Sequence, residues 1–394
     1  MATFDPAAAT IAYLHMIDPV REARAIAYTQ GSHWLILWGW LATLAADVLI
    51  IRSAILPRLR ARIEKERPRP NLVAFLCVAL LVLMSWAIRL PWTVYADWWR
   101  ERSYGLSNEA FGAGFTQNMI STIISAIALG LMAIPVYALM RRAGRNWLAW
   151  ISGIVAIFSF LAVVVAPAAL APVFNASHPA PTGPIRAAVE ELASRAGIPS
   201  NRIVVIDGSK QSSRYTATVV GGPGFATIEM SDTMFAGDAD IAETRAVVAH
   251  EIGHYVHYHL VLLAILLWLL ITIGLWCVDR LFLRLAIYMP GGEAVEMSNP
   301  ALAPVIQILL ATFMILTSPV IATTERLVES DADAYGLALA NEPDGMARAL
   351  LRTVDFRASS PGPVEEALFY DHPSIAHRIR AAMDWKAQHP VNPR

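Results

Sequence analysis

The sequence predicts a mainly α, polytopic membrane protein of about six transmembrane helices that carries a small α+β domain. Three observations predict it. Of 394 residues, 56% are hydrophobic and only 16% charged, and the mean hydropathy is +0.47, too apolar for an ordinary water-soluble fold of this length. Six apolar stretches approach the ~20 helical residues needed to cross the hydrocarbon core. One region of ordinary polarity, residues 175–259, separates the fourth stretch from the fifth, and there long apolar runs give way to short alternating ones.

The six stretches run over residues 34–55, 71–90, 119–140, 147–170, 260–277 and 301–321. Trp34, Trp92 and Trp147 stand near their ends, where aromatic rings favour the headgroup zone. The fifth is the shortest, but it continues a preceding helix. The first thirty residues lack a basic start followed by an apolar core, so no cleavable signal peptide is evident. Their Ala-rich and amphipathic pieces read as lying on the membrane surface. Asp47 falls inside the first span, where an acid needs a partner or water. It either lines an internal cavity or pairs with a neighbouring helix or an interface.

In the polar region, Pro179, Pro181 and Pro184 punctuate the start, and residues 185–196 read as a helix with Val189 and Leu192 on one face. Gly197 and Pro199 end it. Residues 202–207, 215–220 and 226–230 read as three short strands, with Gly221, Gly222 and Gly224 making a turn. Residues 240–259 read as a helix running into the fifth span, and residues 323–340 continue the sixth. The expected division is a membrane domain of four transmembrane helices over residues 1–172, and a second domain over 173–394 containing two more.

Composition also excludes function classes. A net charge of −1 provides no basic field for nucleic acid. The two cysteines, Cys77 and Cys277, both lie in apolar runs, which rules out a disulfide scaffold and a cysteine zinc site.

The chemistry-bearing signal is His250-Glu251-Ile252-Gly253-His254. Residues i and i+4 of a helix share a face, so both imidazoles can reach one metal ion. Glu251 stands beside them, where a carboxylate can take a proton from water activated by zinc. A catalytic zinc of this kind needs a third protein ligand and an open position. Glu329, in Glu329-Ser330-Asp331-Ala332-Asp333, is the candidate. His254 precedes Leu260 by six residues and Glu329 follows Ile321 by eight, so at ~1.5 Å per residue both stand about 10 Å beyond the membrane edge, on one end of a helical hairpin. Asp333, one turn further, can orient a ligand histidine. Glu325, Asp331 and His257 are the alternatives for the third ligand. His257 and His259 share the helix of the pair, as a second metal site or as interface and supporting histidines.

With these residues in view, the chain resembles the type I CAAX prenyl proteases, integral-membrane zinc metalloproteases related to the HtpX-like quality-control proteases. The metal motif matches the family's H-E-x-G-H, Glu329 to Asp333 its E-x-x-A-D, and His372-Pro373 with Arg378 its H-P…R element. Leu90-Pro91-Trp92 with Tyr95, then Tyr104-Gly105, resembles its L-P-x-x-x-Y…G-F loop. Asp207-Gly208-Ser209 with Ser212-Ser213 resembles its strand-loop, and Ser231-Asp232-Thr233 its F-D-T element.

The resemblance implies a zincin-like metalloprotease domain over residues 173–394 with one Zn2+ held by His250, His254 and Glu329. It implies Glu251 as base and then acid, His372 holding the oxyanion or a substrate carbonyl, and Arg378 and Asp333 in support. Thr216, Ala217 and Thr218 occupy the substrate edge, where strand addition is the expected binding mode. The sequence departs from the family at three places. Six spans are counted where the family has seven, the first being missing. Thr216-Ala217-Thr218 replaces N-A-Y at the substrate edge, and Glu325-Arg326 replaces S-R before the third ligand.

The expected function is hydrolysis of peptide bonds in membrane-associated or prenylated-peptide-like substrates, with a peptide or membrane protein and the lipid bilayer as partners and no nucleic acid. The alternatives are a quality-control protease of membrane proteins and, from another class, a non-catalytic membrane scaffold or transporter that keeps zinc structurally. Sidedness is contested. Arg58, Arg60, Arg62, Lys65, Arg67 and Arg69 in one short loop, and Arg141, Arg142 and Arg145 in another, lie opposite the metal region. Short basic loops stay cytoplasmic, which puts that region outside the cytoplasm, whereas the resemblance implies a cytosolic site.

Overall fold

Unbroken apolar sequence in a bilayer must satisfy its backbone internally, and helices do so within one segment. The computed structural model describes residues 4–174, 176–199, 202–212, 214–221, 226–237, 239–286 and 296–389. It opens with α1 (Pro6–Leu14), whose N-cap Asp5 accepts from the Ala7 and Ala8 N–H groups, and α2 (Pro19–Ser53), capped likewise by Asp18. There follow α3 (Ile55–Ile63), α4 (Pro70–Thr93), α5 (Arg100–Ser103), α6 (Phe111–Arg142), α7 (Trp147–Phe160) and α8 (Ala166–Phe174). Six helical stretches among the described residues are long and apolar enough to cross a membrane: Pro19–Ser53, Pro70–Ser103, Phe111–Arg142, Trp147–Leu170, His259–Leu285 and Pro300–Ala340. Each contains or overlaps one expected span; the fourth coincides with it, and the other five run beyond it. Inside the bundle Asp47 is fully buried, and neither of its carboxylate oxygens has a hydrogen-bond partner.

The polar region builds a four-stranded sheet, β1 (Ser177–Pro179), β2 (Ile203–Ile206), β3 (Ala217–Val220) and β4 (Thr227–Ser231), in the order β1-β2-β4-β3. β2 and β4 run parallel, and β1 and β3 are antiparallel to their neighbours. α9 (Pro184–Arg195) and α10 (Ile241–Val256) pack against it. Val189, Leu192, Ile228, Met230, Val248 and Ile252 are wholly buried in the shared core. After α11 (His259–Ala286) come α12 (Ala303–Leu316) and α13 (Ser318–Ala340), and then α14 (Pro343–Arg352), α15 (Pro363–Phe369) and α16 (Ile375–Gln388).

Several expectations are corrected. β1 was not anticipated, because its three residues are all exposed and show no apolar alternation. The segment after Pro91 is not a loop: Pro91 lies inside α4, and a π-type turn over Val94–Trp99 carries the helix on to Ser103. Proline and π-type turns are both recognised places where a long helix bends without ending. The first helix also has a tertiary partner that the sequence did not show. Ala9, Tyr13 and Leu14 pack against the buried Met346, Ile379 and Met383 of α14 and α16, and Tyr13 Oη donates to Asp344 at 2.8 Å. Finally, the metal-motif helix does not run unbroken into the fifth span. α10 stops at Val256, Tyr258 adopts φ +56°, and α11 restarts at His259. The glycine turn expected at 222–224 lies outside the described residues, as do Asn175 and Ser213.

Candidate metal centre

The centre is assembled by two helices whose backbones touch. Asp240 caps α10, accepting from Ala242 and Glu243 N–H at 2.7 and 3.4 Å. Gly253 of α10 faces Ala332 of α13, where a β-carbon would meet backbone at 3.1 Å. Gly336 of α13 faces His250, where one would lie 2.9 Å from the amide nitrogen. Only residues without a side chain allow this approach, and it sets Glu329 opposite the two imidazoles.

Three side chains converge. His250 Nε2 lies 3.0 Å from His254 Nε2 and 3.2 Å from Glu329 Oε2, and His254 Nε2 lies 3.4 Å from Glu329 Oε1. Ligands ~2.0–2.1 Å from one tetrahedral ion stand about 3.3 Å apart, so the set matches a single zinc-sized ion. Glu329 Oε2 is buried and lies 3.2 Å from both His250 Nε2 and His372 Nε2, where a carboxylate oxygen can serve a metal ion. Electrostatics agree. Burial by itself would lower the His250 pKa, yet Asp333 and Glu329 raise it to about 10; the carboxylates hold a positive charge where a cation would sit. His254 is pushed down to about 4 by burial and by His250. The alternatives for the third ligand stand elsewhere. Among the described residues Glu325 joins no metal-competent group, and Asp331 and His257 belong to a neighbouring cluster with His259.

The three candidate ligands are themselves held. Asp333 Oδ1 lies 2.8 Å from His250 Nδ1, and Arg378 grips the same carboxylate in a fork, with its Nε at 2.7 Å and Nη2 at 2.6 Å. His372, on the turn before α16, places Nε2 3.2 Å from Glu329 Oε2. Arg357 Nη2 lies 3.2 Å from its Nδ1. Asp371 Oδ1 lies 2.9 Å from the same nitrogen and 3.3 Å from Arg357, balancing the charge. Burial lowers the His372 pKa. Arg326 anchors the approach to this turn, donating to the Glu366 and Tyr370 carbonyls at 2.9 and 2.6 Å. Sequence reasoning missed Arg357 and Asp371, and it noted Arg326 only as part of Glu325-Arg326 and not for this anchoring role. The pairing of Asp371 with His372 in sequence was the available hint, whereas Arg357 comes from a separate element and had none.

Glu251 is pushed up to about 7, first by burial and then by Glu329 against the opposing pull of His250. With His372 it stands on the boundary between two cavities. One, of about 220 Å³, is lined by Tyr215, Thr216, Ala217, Arg352 and Phe356. The other, of about 950 Å³, is walled by the apolar Phe160, Val164, Val165 and Leu263 of the spans and by Thr218 and Val219. The edge strand β3 thus passes from one cavity to the other. Ser231 N–H donates to Thr216 O, so alternation along the antiparallel pair turns the N–H and C=O groups of Ala217 and Val219 toward the free edge.

The family-like segment around Ser209 and Ser212 is tied to the residues just after Gly105 and to Asp232. Asn108 N–H donates to Gln211 O at 3.0 Å, Ser212 Oγ to Leu106 O at 3.1 Å, and Ser209 N–H to Asp232 Oδ1 at 2.8 Å.

Comparison with known proteins accords with this geometry. Residues 179–386 match the model of peptidase family M48, and residues 12–176 match that of the CAAX prenyl protease N-terminal region, described as five membrane helices. Four candidate spans fall in that second stretch among the described residues. The chain is 26% identical to CAAX prenyl protease 1 of Saccharomyces cerevisiae over 80% of its length and 73% of that protein's. It is 26% identical to the CAAX prenyl protease 1 homolog of Oryza sativa over 87% and 82%. To the uncharacterized metalloprotease YhfN of Bacillus subtilis it is 23% identical over 93% and 86%. The crystal structure of S. mikatae Ste24p has the same fold, with a TM-score of 0.75 at 22% identity, covering 94% of this chain and 90% of that one. The chain therefore belongs to peptidase family M48, as a multi-pass integral-membrane zinc metalloendopeptidase resembling the CAAX prenyl proteases.

Proposed function

We propose that this protease hydrolyses peptide bonds of substrates that enter from the bilayer, their apolar part in the larger cavity and their scissile segment paired to β3. The observation that carries the reading is the position of Glu251 and His372 on the wall shared by both cavities, beside the strand that links them. His250, His254 and Glu329 would hold one Zn2+, which when bound supplies Lewis acidity and a water of lowered pKa. The names of the relatives point to prenylated C-terminal peptides as the substrate class, and an apolar chamber suits a lipid-modified chain.

The residues divide the work. Glu251, its pKa lifted to about 7, takes a proton from the attacking water and passes it to the leaving amine. Asp371 and Arg357 hold His372 at Nδ1 and leave Nε2 facing the site, where the protonated imidazole donates to a developing oxyanion. Asp333, held by Arg378, fixes the His250 ring. Ala217 and Val219 offer their outward backbone groups to the extended substrate.

The test is Glu251→Gln in the purified protein, assayed with a prenylated peptide and with a misfolded membrane protein. The variant is expected to retain zinc and lose cleavage by several orders of magnitude. Wild-type turnover by E251Q would overturn the mechanism. Cleavage by the wild type of the misfolded protein alone would replace the prenylated substrate with a quality-control role.

A further inference from the structure

We propose that His257, His259 and Asp331 form a second divalent-cation site adjoining the catalytic one, and that its occupation weakens the catalytic centre. Both imidazoles address one carboxylate oxygen: His259 Nε2 lies 3.1 Å from Asp331 Oδ2 and His257 Nδ1 is in contact with the same atom. One ligand atom from each of the three lies within 4.8 Å of the other two. Two neutral imidazoles and a carboxylate are the donor set of zinc and other transition divalents, and the catalytic centre uses the same set.

The break between α10 and α11 makes this convergence. Tyr258 at φ +56° holds a conformation costly for a residue with a Cβ. It lets His257 and His259, two positions apart in sequence, meet at one point rather than diverge along a continuous helix. The site has an entry path: the His257 and Asp331 side chains are 37% and 51% exposed, while His259 is 6% exposed and faces inward.

His259 also connects the two centres. Its Nδ1 lies 3.0 Å from His254 Nδ1. A neutral imidazole that ligates through Nε2 carries its hydrogen on Nδ1, so His254 as a ligand donates to His259 Nδ1. A cation on His259 Nε2 would demand a hydrogen on that same Nδ1, and two N–H groups would then face each other. The second ion therefore costs His254 its supporting hydrogen bond. Loss of such a support lowers metal affinity about 10–100-fold.

The full-length protein, stripped of metal in detergent, is dialysed against a series of buffered Zn2+ concentrations and its bound zinc counted by mass spectrometry. Wild type is expected to take two equivalents, the second the weaker, whereas His257→Ala and Asp331→Asn each take one. Saturation of the wild type at one equivalent, or two equivalents in both variants, would overturn the proposal. Cleavage followed over the same series should fall as the second equivalent loads, and H257A should lose that fall. Only this arm rests on the hydrolytic reading. Should that reading fail, no cleavage appears at any zinc level while the count of equivalents still decides the site.

Discussion

Replacing Gly336 by alanine should weaken zinc binding without touching a ligand. The added methyl carbon would lie 2.9 Å from the His250 amide nitrogen, 3.1 Å from its Cα and 3.3 Å from the Ala249 carbonyl carbon. Unstrained carbon contacts lie at ~3.5–4.0 Å, so α10 and α13 must part by about 0.5–1 Å. The nitrogens and oxygens of the three candidate ligands are 3.0–3.4 Å apart, and metal–ligand distances tolerate only about 0.2 Å. The separation thus falls directly on the metal. Overpacking of this kind costs about 1–3 kcal/mol. In the fold, the better helix propensity of alanine, worth about 1 kcal/mol, offsets part of the cost, so the metal-free protein should lose at most about 2 kcal/mol, a few degrees in its melting temperature. Zinc affinity has no such compensation and should fall roughly 5–150-fold, at about 1.4 kcal/mol per decade. Competition against a chromophoric chelator at fixed pH reads the affinity, and a melting curve of the metal-free protein reads the fold. Zinc held by G336A as tightly as by wild type would refute the argument that helix contact positions Glu329.

Three further outcomes are expected. Ala217→Pro removes an outward-facing N–H from β3 while leaving its ladder with β4 intact. A substrate carbonyl left unpaired costs about 1–3 kcal/mol, so kcat/KM should fall with zinc content unchanged, and equal kcat/KM would exclude strand pairing there. Asp240→Ala should destabilise the protein by about 1 kcal/mol in thermal or denaturant melts near neutral pH. Burial raises the Asp240 pKa, but the Ala242 N–H and Arg348 outweigh it and hold the group below its ordinary value. Its contribution is therefore complete above the unfolded pKa of about 3.9 and fades as pH falls below it; a D240A deficit that grew under acid conditions would contradict this. An alkaline phosphatase fusion at the C-terminus should be active if the basic loops stay cytoplasmic, and an inactive but expressed fusion would put the metal region in the cytosol.

The spans were legible in the sequence because the bilayer imposes one rule on every residue of a span, and the rule is written in consecutive residues. The motif His250-Glu251-Ile252-Gly253-His254 was legible for a related reason: helical periodicity alone brings i and i+4 to one face. Glu329 could be placed at the right height by counting along two helices. Its presentation to the imidazoles depends on Gly253 and Gly336 touching the opposite backbone, a matter of steric fit between segments roughly eighty residues apart. The break at Tyr258 escaped prediction because no glycine or proline marks it.

The sequence by itself determined which segments lie in the membrane and which residue types offer metal chemistry, since both follow from local order along the chain. Only the tertiary structure decided that Arg357 and Asp371 share His372 Nδ1, that β3 joins the two cavities, and that Asp331 turns to His257 and His259 rather than to the ligand pair. Those outcomes depend on distances between side chains from separate elements, and such distances are set by packing, which no single stretch of sequence contains.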